Sequence, residues 1–507
     1  MKILFFFTAH PRLDMIFKIQ TEILMNHVLN KDDIYIVTDF KNNIVKSQIN
    51  YNTIKSNLYY YESMFHNMLT FLRSKGGNVT LLGYKSVTDF SPQNFENISD
   101  VKKYYYKDYN LGMCAASSSI SFFREHILDV KKYSKHINRE LKNAIDVFTT
   151  ISHYHNSLQP DKVYVFNGRM ATYAPVVLYC KKNNVAFNVF EFSLSFERYH
   201  LLQNEIPHNI KYRRQEMVDL WENNDISIEE KQKVSNRFFE RQRNGISTID
   251  ASYVGLQNKE LNNEKFQNKE VIVFFNSSID EFAAVPGWEN YVYVFEDETQ
   301  AISEICEHFK NDSDKVFILR IHPNLKFLNN TQNKKLKELE RFENLIIIEP
   351  HSPIRSYSLV DRADKVITFG STIGVEACYY GKPVICLGQS FYEHLDVAYI
   401  PTTKEELFSY INTKLPPKPK ENSLPYGYWF NSFGEPFINF ANGNVTEKAF
   451  QLTKKQKRMG IFKKTVDLGF YKKIYKAFNP EKNTLKRIKD PAYRKSLLRE
   501  FMPWKVK

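Results

Sequence analysis

Residues 368–388 read TFGSTIGVEACYYGKPVICLG. An apolar run ends at Thr368-Phe369, a Gly-Ser-Thr step follows, a helix opens near Gly374, and a Gly381-Lys382-Pro383 turn feeds the next apolar run, Val384–Leu387. Strand, turn, helix, turn, strand is the repeating unit of a parallel sheet, because parallel neighbours need a crossover connection. The polar step falls at the carboxyl end of its strand, where open α/β sheets bind ligands. A helix N-terminus there offers unpaired backbone N–H groups and the positive end of a dipole. Gly370 and Gly374 let a phosphate approach the main chain, and Ser371 and Thr372 add hydroxyls. Glu376, in the first helical turn, is placed to accept hydrogen bonds from a ribose. These residues together predict a diphosphate cradle. An ordinary helix start uses the same residue types as caps, so the reading depends on what surrounds it.

Working outward, the same pattern recurs. Apolar runs at Val271–Phe275, Val316–Ile321, Leu345–Ile348, Val366–Phe369 and Val384–Leu387 alternate with helical stretches at Thr299–Lys310, Thr331–Phe342, Ile354–Asp361 and Gly374–Tyr380. Continuous Val/Ile/Leu/Phe runs without polar alternation indicate strands buried on both faces. Three of these runs also end in polar groups. After the first come Ser277, Ser278, Asp280 and Glu281. The second carries Arg320 and His322, the arginine suited to bidentate contact with phosphate oxygens. After the third come His351 and Ser352, where a base would be clamped. Four consecutive strand ends placing polar groups on one rim is what a nucleotide site requires.

The first half shows a second set of runs, at Lys2–Phe7, Ile34–Thr38, Val79–Leu82, Lys162–Phe166 and Ala186–Phe190, with a long helical stretch at Phe122–Thr150. Strand ends here supply His10 and Arg12, then Asn167, Gly168 and Arg169, then Glu191, with His208 following in NEIPH. The chain thus divides into an N-terminal Rossmann-like domain (1–245), a polar Asn-rich linker (246–270), a second Rossmann-like domain (271–415), and a segment 416–507. The last begins with LPPKPKENSLP at 415–425, whose four prolines stop any helix.

Composition narrows the choice. The 507 residues are 43% hydrophobic, enough for full cores, and no stretch is long and apolar enough to span a bilayer. The N-terminal apolar run, Ile3–Phe7, is shorter than a secretory signal needs and reads as a buried strand. Five cysteines without a C-x-x-C pair argue against a zinc site or a disulfide framework and fit a reducing cytoplasm. The net charge of +13 is local: residues 451–507 carry 18 Lys and Arg against four acids, and the remaining chain is −1. A neutral body argues against nucleic acid as partner. A basic tail interleaved with Phe, Tyr, Leu and Trp predicts an amphipathic helical segment on an anionic membrane surface. There is no G-x-x-x-x-G-K-[ST], no G-x-G-x-x-G after the first strand and no H-E-x-x-H. Asp312-Ser313-Asp314 precedes its strand and reads as a turn, not a metal pair.

With these residues in view, positions from about 160 to 400 resemble the bacterial surface-polysaccharide (capsule and lipopolysaccharide) biosynthesis proteins of GT-B architecture, in which two Rossmann-like domains face a cleft. FNGR at 166–169, Glu191, NEIPH at 204–208, SSIDEF at 277–282, LRIHPN at 319–324, SYSLVDRADKVITFGSTIGVEA at 356–377 and GKPVICLG at 381–388 carry the resemblance. It implies a metal-independent glycosyltransferase, acting on a hexose or a sugar acid, with a nucleotide-sugar as co-substrate and no tightly bound cofactor. The acceptor would be a glycan or lipid-linked glycan, and the place of work the inner face of the cytoplasmic membrane. Ser277, Ser278, Glu281, Arg320, His322, His351, Ser352, Gly370, Ser371, Thr372, Gly374 and Glu376 would bind the donor. Asn167, Gly168, Arg169 and His208 would face the acceptor, and Glu191, His10 or His322 would be catalytic. The HPN and G-S-T-x-G-x-E-A patterns also resemble non-hydrolysing UDP-sugar 2-epimerases, whose N-terminal Gly-Thr-Arg-Pro-Glu is missing here. A non-enzymatic protein binding glycan or nucleic acid is the remaining alternative.

Overall fold

The computed structural model describes residues 1–8, 13–38, 55–193, 197–245, 257–262, 266–288 and 291–440. His10, Arg12 and the basic stretch 451–507 lie outside them. The first half runs β1 (Lys2–Phe6), α1 (Leu13–Leu29), β2 (Asp33–Val37), α2 (Lys55–Ser74), β3 (Asn78–Leu82), α3 (Ile98–Lys102), α4 (Leu111–Phe123), α5 (Ser134–Leu158), β4 (Lys162–Phe166), α6 (Ala174–Lys182), β5 (Phe187–Phe192), β6 (Arg198–Gln203), α7 (Ile210–Glu222) and α8 (Ile228–Arg243). The second runs β7 (Glu270–Phe275), α9 (Glu298–His308), β8 (Lys315–Arg320), α10 (Thr331–Glu338), β9 (Leu345–Ile348), α11 (Ser356–Arg362), β10 (Lys365–Thr368), α12 (Ile373–Tyr379), β11 (Val384–Cys386), α13 (Lys404–Asn412), α14 (Leu424–Ser432) and β12 (Glu435–Pro436).

Alternation along the strands builds the layers. In β1, Ile3 and Phe5 join one core with α1 and α2, while Leu4 and Phe6 join another with α4, α5 and α6. In β7, Val271, Val273 and Phe275 face one core, and Ile272 and Phe274 the other. Each sheet is therefore covered on both sides, as the unbroken apolar runs required. The first sheet has the order β12-β6-β5-β4-β1-β2-β3, the second β11-β10-β7-β8-β9. Within each, the five parallel strands follow the doubly wound order, with the first strand central. This is the α/β, two-Rossmann GT-B architecture expected from the sequence.

Three features differ from the sequence expectation. Phe122–Thr150 is not one helix: α4 ends where Arg124 turns left-handed (φ +56°), and α5 begins at Ser134. An antiparallel strand, β6, follows β5. Helices α7 and α8, which the sequence reading placed in the N-terminal unit, bury Met217, Phe238 and Phe239 in the core of the second sheet. Each such burial stabilises by about 1.5–3 kcal/mol, so the two cores divide near residue 209 rather than at 245.

The crossing segment is also built by side chains. α14 packs on α7 and α8, placing Trp429 and Phe430 in the same core. The chain then turns at Gly434 (φ +88°), where a Cβ would lie 2.4 Å from the Tyr199 carbonyl oxygen. Glu435-Pro436 pairs antiparallel with β6 of the first sheet, and Phe437 enters the core beneath α1 and α2. Glu22, fully buried on α1, accepts hydrogen bonds from the backbone N–H groups of Ile438, Asn439 and Phe440 and from the Asn439 amide. The five cysteines are buried free thiols, and no helix among the described residues is long and apolar enough to cross a membrane.

Candidate active site

The carboxyl ends of β7, β8 and β10 are locked together by short side chains. Asn276 is buried and its Oδ1 accepts from the His322 N–H at 2.8 Å. The Ser277 N–H donates to the Glu298 carboxylate at 3.0 and 3.2 Å, and its Oγ donates to the Phe369 carbonyl at 3.1 Å. Glu298 itself is buried at the start of α9, and burial pushes its carboxyl up to about 7. Gly370 adopts φ +93°, and a Cβ there would sit 2.2 Å from the Gln389 carbonyl oxygen. The Ser371 N–H donates to Thr368 Oγ1, and its carbonyl accepts from the Tyr392 hydroxyl at 2.6 Å. That hydroxyl would lie 2.4 Å from a Cβ at Gly374. Thr372 is exposed and makes no side-chain cap on α12. Glu376 is buried, receives the Tyr357 hydroxyl and is raised to about 7 by burial.

Arg320 is not presented to an open rim. It is 2% exposed, and its guanidinium donates to the carbonyls of Glu349 at 2.6 Å and Ser352 at 3.3 Å. It fastens the loop after β9, and burial lowers its pKa to about 10. Ser352 Oγ accepts from the Ile354 N–H, and His351 is exposed with its ring over Phe327. His322 Nδ1 accepts from the Asn324 N–H at 3.2 Å, so Nε2 carries the proton of the neutral ring. Burial, then Arg124, hold its pKa down to about 4.

The opposite rim is built from longer side chains. Asn167 and Gly168 are both left-handed (φ +59° and +74°), which aims Arg169 away from its strand. Asn167 Nδ2 donates to Glu191 Oε2 at 2.5 Å, and the Phe192 N–H donates to Oε1 at 2.9 Å. Arg169 Nε donates to Ser117 Oγ at 2.9 Å, whereas its Nη2 is buried without a partner. Burial lowers its pKa to about 10, opposed by Glu281 and Asp280 across the cleft. His208 has a buried, unpartnered Nδ1, and burial, Arg169 and Arg213 hold its pKa down to about 3. Its carbonyl accepts from Trp288 of the second unit at 3.0 Å.

One residue at the centre of this meeting was not singled out from the sequence. Arg124, at the left-handed end of α4, pairs with buried Asp280 and donates from Nη2 to Ser278 Oγ at 3.0 Å. Glu281 Oε1 is 3.8 Å away and accepts from Asn324 Nδ2 at 2.5 Å. Glu125 seals the same seam by accepting from the N–H and hydroxyl of Thr331. The FFREH context of Arg124 carries no motif that would have marked it. The structure thus brings Ser278, Asp280 and Glu281 to Arg124, with His322 and Arg169 in electrostatic reach of the same carboxylates and His208 beside Arg169. Glu191 and Asn167 form a separate pair, as do Glu376 and Tyr357. Asp312 and Asp314 form the expected turn, closed by the Asp314 N–H to Asp312 Oδ1 and by Lys315. Among the described residues no three His, Cys, Asp or Glu side chains are grouped to hold a metal ion.

Residues 249–407 match the family model of the capsule polysaccharide biosynthesis protein. No curated protein gives a match. Among solved structures, the chain is similar to a Thermosulfurimonas dismutans KpsC, a β-Kdo 2,4-transferase, at 14% identity over 58% of this chain and 87% of that one, with a TM-score of 0.37. A Methanocaldococcus jannaschii UDP-GlcNAc 2-epimerase, in complex with UDP-GlcNAc and UDP, is similar at 14% identity over 91% and 99%, with a TM-score of 0.28.

Proposed function

We propose that the chain is a glycosyltransferase of surface-polysaccharide synthesis, passing a sugar from a nucleotide-sugar to a glycan or lipid-linked glycan. One observation carries the reading: the family match at 249–407 falls on the sheet whose strand ends bring Ser277, His322 and Gly370 to a single rim opposite Arg169. In this proposal the donor phosphate rests on the main chain at Gly370–Gly374 and on Ser277 and Ser278. The nucleoside lies toward Ile348–Ser352 and Glu376. Nε2–H of His322 donates to a phosphate or sugar oxygen, an electrostatic contribution that strengthens as the leaving group gains charge. The acceptor approaches along Asn167, Gly168, Arg169 and His208. If the reaction inverts the anomeric centre, Glu191 is the base in the described part of the site. Its two amide donors, Asn167 Nδ2 and the Phe192 N–H, fix its position.

The finer parts of the proposal rest on chemistry, not on the family match. Arginine and backbone N–H groups would neutralise the donor phosphate in place of a metal, with no cofactor tightly bound. The donated sugar would be a hexose or a sugar acid. The basic stretch 451–507 would hold the enzyme at an anionic membrane surface, a reading that sedimentation with anionic liposomes before and after deletion of 453–507 tests directly. For the activity, a thermal-shift panel of UDP-, GDP-, CMP- and dTDP-sugars identifies the donor, and NMR then follows that donor with and without glycan acceptor. Transfer that depends on acceptor is expected. A 2-epimer formed without acceptor would replace this reading with the epimerase, and no stabilisation by any nucleotide-sugar would remove it.

A further inference from the structure

We infer that Arg124 and Arg169, both on the N-terminal unit, receive the departing phosphate of the donor, and that Asp280 and Glu281 hold their place until it arrives. The inference rests on the transferase reading above. Its starting point is an asymmetry between the two rims in where their arginines are committed. Arg320, the arginine of the second-sheet rim, is almost wholly buried and spends both terminal nitrogens on backbone carbonyls, leaving only its buried Nε unpaired. The available positive charge stands on the other side of the cleft. Arg124 Nη2 already touches Ser278 Oγ, a hydroxyl at the end of β7, and Arg169 has a buried Nη2 with no acceptor.

The two carboxylates facing these arginines are not equivalent. The Asp280 side chain is 3% exposed and is bound by Arg124 and by Ser278 Oγ, so it is fixed. The Glu281 side chain is 49% exposed, stands 3.8 Å from Arg124 and accepts a hydrogen bond from Asn324. Two arginines, two carboxylates and two neutral histidines, His208 and His322, leave the cluster without net charge. A phosphate entering it must displace an anion, and the exposed Glu281 is the one that can move.

The transfer step places the charge at this spot. The bond from the anomeric carbon to the phosphate oxygen breaks, and its electron pair stays on that oxygen. The acceptor oxygen bonds to the anomeric carbon, and its proton leaves to a base or to solvent. The new charge on the phosphate oxygen is what the two guanidiniums are positioned to meet. Arg124 and Arg169 belong to the N-terminal unit, so they stabilise that charge only while the two units are together.

Isothermal calorimetry on the full chain with UDP, GDP, CMP and inorganic pyrophosphate tests this, alongside turnover with the donor. Glu281→Gln removes the competing charge and is expected to tighten the best-bound of these anions at least about threefold. Arg124→Ala and Arg169→Ala are expected to weaken it and to lower kcat at least about tenfold, with Arg124→Lys recovering part of the loss. Weaker or unchanged anion binding in Glu281→Gln overturns the inference, and so does an effect confined to the acceptor KM. Should Arg124→Ala fail to fold, because it strands buried Asp280, Glu281→Gln and Arg169→Ala still decide. Glu376→Ala separates the two levels. If it weakens the nucleotide while the Arg and Glu281 variants do not, the placeholder idea falls and the donor site stands. If none of them changes nucleotide affinity, the donor site falls too.

Discussion

The two sheets of this chain share one strand order but equip their carboxyl ends in opposite ways. At the second sheet most polar groups are short and bind one another or the main chain: Ser277 to Glu298 and Phe369, Ser371 to Thr368 and Tyr392, and Arg320 to two carbonyls with its buried Nε left unpaired. At the first sheet they are long and partly unsatisfied, with an open Nη2 on Arg169 and an open Nδ1 on His208. A rim of backbone and small side chains fixes a shape. A rim of long cations and carboxylates supplies charge. The difference assigns rigidity to one side of the cleft and electrostatic response to the other.

Glycine substitutions probe the rigid side most harshly. Gly370→Ala forces a Cβ onto a carbonyl oxygen in left-handed backbone, and a loss of about 3 kcal/mol or more is expected in urea unfolding. Gly168→Ala at the other rim, also left-handed, meets side-chain methyls of Ile206 and Val177 at 2.8 and 3.2 Å rather than backbone, and should cost about 1–2 kcal/mol. Equal losses would erase the contrast between the two rims. The arginines give the next test. Arg320→Ala should destabilise by about 2–3 kcal/mol, since it leaves two carbonyls without their donor. Arg169→Ala should change stability by less than about 1 kcal/mol while lowering turnover at least about tenfold. The reverse pattern would make Arg320 the substrate contact that its sequence position suggested.

Acid and base sharpen the same division. Glu376, with a carboxyl raised to about 7 from an ordinary 4.5, keeps its proton in the folded state over a range where the unfolded chain has lost it. Its effect is therefore a loss of stability as pH rises from about 4.5 to 7, on the order of 3 kcal/mol. Glu216, where the units meet, behaves oppositely. Burial works against its charge, but His200, Arg213 and Trp429 hold it ionised and lower it to about 2. That stabilisation is complete above about pH 4.5 and is lost as pH falls toward 2. Thermal melts of Glu376→Gln should flatten the upper limb and those of Glu216→Gln the lower. The smallest expected effect is that of EDTA: with arginines in place of a metal, turnover should change less than about twofold. A loss restored by Mg²⁺ would return the charge-neutralising role to an ion.

Much of the rigid side could be read directly from the sequence. All ten parallel strands were placed within a residue or two, because runs such as Val271–Phe275 and Val366–Phe369 allow few other structures. The polar groups after them were found for the same reason: strand ends are positions in a pattern. The responsive side was not legible in this way. Arg124 lies more than 150 residues from Asp280, at a helix end with no local signature, and only packing of the two units joins them. Arg320 shows a related difficulty: in sequence a strand-end arginine looks the same whether it faces a ligand or, as its two carbonyl bonds show, a neighbouring loop. The helices α7 and α8 were assigned to the wrong core because their partner, α14, arrives almost two hundred residues later.

The clasp at Glu22 gives the molecule a direction of pull. Residues Ile438–Phe440 are tied to α1 by a buried carboxylate, so whatever tension acts on the chain beyond residue 440 is borne by the first sheet. α14 and the second sheet sit on the far side of the turn at Gly434 and carry none of it. An attachment made by the basic stretch would therefore moor the unit of the first sheet and leave that of the second as the free arm; on the proposed function, the donor side would load and unload while its counterpart stays at anchor.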